Sequence, residues 1–116
     1  MSDIKLTKDS DALICLMYKA YCEARKNDID KYIAKQFGNC EEIQNKLTPN
    51  WSLNDTLETA NELSRAGFLE CLYGDNTIME SSLTDNAIIY METRFSNNLS
   101  ALLDHISQIK NIIPFV

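Results

Sequence analysis

One stretch of the chain repeats polar side chains at helical spacing. The four residues, separated by four, three and four positions, are Asn54, Glu58, Asn61 and Arg65. On a helix they would share one face. In the major groove of duplex DNA, Asn can bond adenine, Glu can accept from cytosine and Arg can bond guanine. A solvated helix face has the same composition, so base recognition and plain solvation are both open interpretations.

The charge distribution bears directly on base recognition. Residues 1–46 hold 8 Lys and Arg against 8 Asp and Glu, whereas residues 47–116 hold 3 against 9. Neutralised phosphates supply much of a protein's affinity for DNA, and acidic side chains oppose that binding. Three lysines from the first part could flank one edge of the polar face: Lys31, Lys35 and Lys46. Duplex DNA is therefore a candidate partner that the local acidity disfavours.

The alternative partner is a protein. Asn50, Trp51 and Ser52 precede the polar face and lead into an acidic helix that could meet a basic surface. Trp51 is the sole Trp of the chain, and tryptophan often anchors interfaces. A Trp just before a helix start also commonly packs over the core as part of a cap. Both roles for this side chain stay open.

Patterns for catalysis or metal binding do not occur in the sequence. The cysteines, Cys15, Cys22, Cys40 and Cys71, form no C-x-x-C pair, and the single His105 lies far from them along the chain. Three glycines leave no phosphate-binding loop, and no nucleophile has a base at a suggestive spacing. We expect no enzymatic activity, no cofactor and no metal site. We expect the thiols to be reduced and buried.

Hydrophobic periodicity and turn residues predict the elements that position these side chains. The predicted elements are a helix over 7–26, a short helix after Asp30, a small helix over 39–47, a helix over 52–67, a hairpin over 68–83 and a long helical region over 84–111. We interpret the small helix as an insert. The predicted fold class is mainly α with a small β-hairpin.

The last helical stretch, from about residue 96, carries an apolar seam. Its spacing is typical of helices that pack in pairs. The members of the seam are Leu99, Leu102, Leu103, Ile106, Ile109 and Ile113. The seam could join two copies of the chain, which makes a homodimer the expected assembly. It could also close the core against the first helix.

The order of elements and the residues at their junctions resemble a winged helix-turn-helix protein. The helix that starts at Ser52 ends in a Leu-x-x-x-Gly pattern, at Leu63 and Gly67, and then enters the first strand. This junction is similar to that between a recognition helix and a wing. The pair Leu83 and Thr84 similarly resembles the start of the helix that follows the wing. The resemblance implies a winged helix-turn-helix fold with an extra C-terminal helix.

The resemblance covers about residues 7–95 and leaves 96–116 as a C-terminal dimerisation or docking helix. Bacterial members of this fold are commonly dimeric transcription regulators, so the resemblance implies DNA binding, with a protein-interaction adaptor as the alternative. The chain has 116 residues, 45% of them apolar, which predicts a single domain. It contains no apolar window of bilayer length and no signal-like start, so we expect a cytoplasmic protein without a membrane span.

Overall fold

The computed structural model describes residues 5–96 and 98–112 of the chain. Within these residues it contains six helices and one antiparallel hairpin: α1 Lys8–Lys26, α2 Lys31–Ala34, α3 Cys40–Leu47, α4 Leu53–Arg65, β1 Leu69–Gly74, β2 Thr77–Leu83, α5 Asp85–Phe95 and α6 Leu99–Ile112. The predicted mainly α fold with a small hairpin is confirmed. None of the described helices combines the length and the apolar character that a membrane crossing requires.

Helix α1 lies at the centre of the fold. Thr7 caps its start by accepting a hydrogen bond from the backbone N–H of Ser10 at 3.1 Å. Its inner face buries Leu13, Ile14 and Met17 completely, and the helix contacts α3, α4, α5 and α6. Each such side chain contributes about 1.5–3 kcal/mol when it leaves water. The predicted first helix is therefore the element around which the others pack.

Helices α3 and α4 form a packed pair joined by residues 48–52. A capping box starts α3, in which the Asn39 side chain accepts from the Glu42 N–H and the Glu42 side chain accepts from the Asn39 N–H. Helix α4 starts at the Ser52 cap. Helix α3 buries Ile43 completely and also contacts α1 and β2. It is part of the core, so its interpretation as an insert is wrong.

The hairpin of β1 and β2 closes through a two-residue turn. Asp75 and Asn76 occupy the turn with φ values of 51° and 61°, the left-handed region that the favoured hairpin turns require and that Asp and Asn tolerate. The register shifts between Leu72 and Tyr73. Met79 of β2 is left without a partner at this shift, as in a β-bulge. Leu72 and Tyr73 consequently do not follow simple strand alternation.

Gln36 forms an isolated antiparallel bridge with Ser82 of β2. The Phe37 N–H donates to the Ser81 carbonyl and the Leu83 N–H donates to the Lys35 carbonyl, both at 2.9 Å. Strand β2 is therefore hydrogen-bonded on both edges, to β1 along the hairpin and to residues 35–37 at this bridge. A contact this short shows no alternating pattern, so hydrophobic periodicity did not predict this bridge.

Helices α5 and α6 are separate, and α6 lies within the C-terminal stretch that the sequence predicts from about residue 96. Ser96 ends α5 in the left-handed conformation, with φ of 51°. The Asn98 side chain then accepts a hydrogen bond from the Ala101 N–H at 3.2 Å and caps α6. The left-handed residue stops the helical ladder, and the new cap lets the chain start a second helix.

The α6 seam packs within its own chain. Leu102 is 1% exposed, and Ile106 and Ile109 are also buried where α6 contacts α1. Side chains that already fill the core of one chain are not available to a second copy. The predicted dimer-interface role of these three residues is therefore corrected, because they close the core against the first helix.

Two seam residues remain at the surface. Leu99 and Leu103 are exposed on α6, so they stay candidates for contact with another molecule. Ile113, the last member of the predicted seam, lies outside the described residues. The C-terminal helix is thus mainly a core element with a narrow exposed apolar edge.

Candidate interaction surface

The polar face of α4 is partly engaged in contacts within the chain. Asn54, Glu58 and Arg65 are exposed, and Arg65 Nη2 lies 3.6 Å from Glu58 Oε2. Asn61 Oδ1 accepts a hydrogen bond from the Tyr73 hydroxyl at 2.8 Å, which ties α4 to the hairpin. The single guanidinium of this face therefore faces a carboxylate on its own helix. Only Asn54 has no such contact among the residues that the structure describes.

The three lysines expected beside α4 occupy two separate places. Lys35 Nζ lies 3.0 Å from Asp85 Oδ1, and this hydrogen bond, followed by the charges of Lys35 and Lys31, lowers the pKa of Asp85. Lys46 instead borders a recess formed with Glu23 of α1. The basic groups therefore do not make one continuous edge for a phosphate backbone.

The segment that precedes α4 mainly supports the fold. Trp51 is 6% exposed and belongs to the core, so it acts as part of the cap and is not a surface anchor. The Ser52 hydroxyl accepts from the Asp55 N–H at 3.0 Å. Asn50 is exposed and borders the same recess as Lys46. Of the three predicted binding residues in this segment, only Asn50 offers a free side chain to a partner.

The outer side of the hairpin presents exposed apolar side chains between carboxylates. Leu72 is 59% exposed. It pairs across the strands with Glu80, and Glu70 lies two residues before it on the same face of β1. From α2, Tyr32 is 73% exposed. These four residues line one recess with a volume of about 390 Å³. We call Tyr32, Glu70, Leu72 and Glu80 the hairpin face.

The charge around the hairpin face is negative. No Lys or Arg occurs between residues 66 and 93, and Asp75 adds a third carboxylate at the turn. Two basic side chains lie near its border: Lys35 is paired with Asp85, and Lys31, which precedes Tyr32 on α2, also acts on the Asp85 carboxyl. The sequence interpretation recognised the acidic wing but missed Tyr32 and Leu72. The only sequence signal for Leu72 was its apolar side chain at an outward-facing strand position near the acidic residues Glu70 and Glu80.

A second cluster joins α1, α5 and α6. The Arg94 guanidinium donates to both carboxylate oxygens of Asp11. His105 Nε2 lies 2.9 Å from Asp11 Oδ2 and 2.9 Å from Arg94 Nη2. Because this nitrogen faces an acceptor and a donor, the tautomer of the ring decides which of the two it bonds. The cluster ties the last two helices to the first.

The same cluster has the composition of a metal site but not its electrostatics. Asp11, Cys15 and His105 hold possible ligand atoms within 4.8 Å of one another, although His105 lies far from Cys15 in the sequence. Arg94 already binds the carboxylate, and its fixed charge opposes a cation. Burial, with a further effect of the Asp11 charge, raises the pKa of the Cys15 thiol to about 12, which disfavours the thiolate. The arrangement fits an ion pair between helices.

The four thiols are free and differ in burial. Cys15 and Cys40 are buried as expected, whereas Cys22 and Cys71 are partly exposed. Burial raises the pKa of both partly exposed thiols above the ordinary value. These two cysteines are therefore accessible enough to label but not activated nucleophiles.

Comparison with known proteins gives this chain no family. No protein-family model, no curated protein and no solved structure matches it. The winged helix-turn-helix assignment stays a prediction from sequence resemblance. Because a fold by itself does not determine what a domain binds, function has to be inferred from the exposed side chains and their charges.

Proposed function

We propose that this chain is a non-enzymatic winged-helix module whose hairpin face docks a basic, partly apolar segment of another protein. The order of α1, the bridge at Gln36, α3, α4 and the hairpin supports this architecture. In it α3 and α4 correspond to a helix-turn-helix and the hairpin corresponds to a wing. The proposal takes the adaptor alternative over DNA binding because the charges favour it.

The observation that carries the proposal is the exposure of Tyr32 and Leu72 between Glu70 and Glu80. Aromatic and large apolar side chains at the centre of a patch supply most of the binding energy in protein interfaces. Carboxylates at the rim attract Lys and Arg and speed association. A partner segment with one apolar residue flanked by basic residues therefore complements this face in both shape and charge.

Duplex DNA is the second candidate, favoured by the packed α3 and α4 pair and by the exposed amide of Asn54. Too few positively charged side chains are available near α4 and the hairpin for this candidate. Arg65 is opposed by Glu58, and the hairpin, where a wing would approach phosphates, has only acidic charged groups. Each phosphate contact that lacks a Lys or Arg lowers the slope of log affinity against log salt concentration by about one unit. The affinity which that contact would contribute is lost as well.

The proposal is tested by selecting random 15-residue peptides displayed on messenger RNA against the immobilised full chain. We expect the enriched peptides to combine Lys or Arg with a large apolar residue. Leu72→Ser should weaken the best peptide at least about tenfold, the effect of losing an interface anchor. The matched control is Ile89→Ser on α5, because Ile89 is also 59% exposed. It should leave the affinity unchanged.

The same experiment also measures DNA binding. A labelled random-sequence duplex is titrated with the full chain at about 50 mM and about 200 mM salt. We expect no saturable binding at either salt concentration. Saturable binding that falls steeply with salt would support the DNA candidate and contradict protein docking. The proposal also fails if no basic peptide is enriched, or if the enriched peptides bind Leu72→Ser and Ile89→Ser equally well.

A further inference from the structure

We propose that the basic segment docked at the hairpin face binds as an extended strand, added to the free edge of β1. This binding mode rests on the proposed docking function and specifies the conformation in which the segment is held. Strand β1 pairs with β2 along one edge, and no strand among the described residues pairs with its other edge. Such an edge offers unpaired N–H and C=O groups to an incoming chain.

The hydrogen-bond pattern of the hairpin shows which backbone groups of β1 face away from β2. The Thr84 N–H donates to the Phe68 carbonyl at 3.1 Å, which makes these two residues a hydrogen-bonded pair. In an antiparallel ladder such pairs alternate with pairs whose N–H and C=O groups point outward. The backbone of Glu70, two residues after Phe68, therefore bonds β2. The backbone of Cys71 points away from β2.

The turn gives the same direction for Tyr73. The two-residue turn is closed by the pair of Gly74 and Thr77, and the closing pair of such a turn is hydrogen-bonded. Tyr73, one residue earlier, therefore faces outward. Among the residues that the structure describes, no hydrogen bond from outside the hairpin reaches the backbone of Cys71 or Tyr73. We call the N–H and C=O groups of these two residues the β1 edge.

The sequence of β1 does not protect this edge. Proteins commonly guard an edge strand with Lys, with Pro or with a bulge. Strand β1 reads LECLYG, without Lys or Pro, and the extra residue of the register shift, Met79, belongs to β2. Helix α4 packs on one face of β1, where the Tyr73 hydroxyl bonds Asn61. Tyr73 is nevertheless 51% exposed, and Cys71 is partly exposed.

Charge and side-chain alternation define the segment that fits this edge. An added strand lies about 4.8 Å from β1, so every second side chain of it stands beside Glu70 or Leu72 on the outer face. Opposite charges and apolar pairs on neighbouring strands stabilise a sheet. The fitting segment therefore carries Lys or Arg two residues from a large apolar residue. A second copy of this chain, with a net charge of −6, would instead bring one acidic β1 against another.

The test uses the full chain and the best peptide from the selection, resynthesised as a series with one backbone amide methylated at a time. A methyl group removes the N–H donor. We expect methylation at every second position to weaken binding at least about tenfold, because those amides bond the β1 edge. The intervening amides face away from β1 and are the matched controls, so their methylation should leave the affinity unchanged. Isothermal titration calorimetry measures each affinity.

Amide hydrogen exchange of the nitrogen-15-labelled full chain gives the reading from the other side of the contact. At saturating peptide, the Cys71 and Tyr73 amides should exchange at least about tenfold more slowly, because they become hydrogen-bonded. The Glu70 amide is the internal control. It already faces β2, so it should be protected with and without the peptide.

The outcomes separate this binding mode from the docking function. A selected peptide that binds without a two-residue alternation, or that leaves the Cys71 and Tyr73 amides unprotected, overturns strand addition and leaves docking at the hairpin face intact. If no basic peptide is enriched, the docking function fails and strand addition fails with it. Light scattering without peptide should give the mass of one chain, and a dimer that the peptide dissociates would contradict the assigned occupant.

Discussion

Replacing Leu102 by Asp is expected to abolish folding of the isolated chain. Leu102 is 1% exposed and lies where α6 packs on α1. Shortening such a side chain to Ala typically costs about 2–5 kcal/mol. An unpaired carboxylate at the same place adds the loss of its hydration, which is far larger. The sum reaches the whole stability of an ordinary small domain, about 5–15 kcal/mol.

Far-ultraviolet circular dichroism and urea unfolding measure this effect. The control is Leu103→Asp, one residue further along α6, where the side chain is exposed. We expect that variant to stay folded, with a stability within about 0.5 kcal/mol of the parent. A folded, monomeric Leu102→Asp chain would contradict the packing of α6 on α1. It would instead support the interpretation that the seam joins two copies of the chain.

The second large effect is expected for Asp11→Asn, which should lower the stability at pH 7 by about 2–3 kcal/mol. Asp11 accepts hydrogen bonds from Arg94 and contacts His105, so three helices meet at one carboxylate. The substitution leaves the partly buried Arg94 without its counter-charge. Because Asn keeps the size of the side chain, the loss reports on charge and hydrogen bonding.

The effect of Asp11 should depend on pH in a defined direction. Burial pushes the pKa of Asp11 upward, but the hydrogen bonds from Arg94 and His105 lower it more, so the net pKa lies below the ordinary value. A carboxyl with a lowered folded pKa stabilises the fold above its unfolded pKa, about 4, and loses that contribution as pH falls through the folded value.

Urea unfolding at pH 7 and at about pH 3 tests this dependence. The difference in stability between the parent and Asp11→Asn should shrink on acidification. Asp9→Asn is the control, because Asp9 is exposed in the same first turn of α1, and its effect should be small at both pH values. Equal effects of the two substitutions, or a difference for Asp11 that does not change with pH, would contradict the role of this cluster.

Local rules were sufficient to predict most elements of the fold. Thr7, Ser52 and Thr84 each accept a backbone hydrogen bond at the start of a helix, and such capping residues can be recognised within a few positions. Gly67 has a φ of 84° after α4, where a residue with a side chain would be strained. Each of these signals lies within a few residues of the helix end that it determines.

The features that sequence did not predict depend on distant contacts. The bridge between Gln36 and Ser82 forms at the edge of β2 that β1 leaves free. Asp11 and His105 meet across 94 positions of the chain. An apolar seam has the same spacing whether it packs within one chain or between two, so the partner of α6 could not be deduced. Tyr32 and Leu72 likewise form one surface only after the sheet has assembled.

Nuclear magnetic resonance of the nitrogen-15-labelled full chain tests the docking surface most directly. The chain is titrated separately with the best peptide from the selection and with the random-sequence duplex. We expect the peptide to produce saturable shifts concentrated at Tyr32, Glu70, Leu72 and Glu80, and the duplex to produce none. Saturable shifts from the duplex centred on α4, or peptide shifts located away from the hairpin face, would contradict the proposed function.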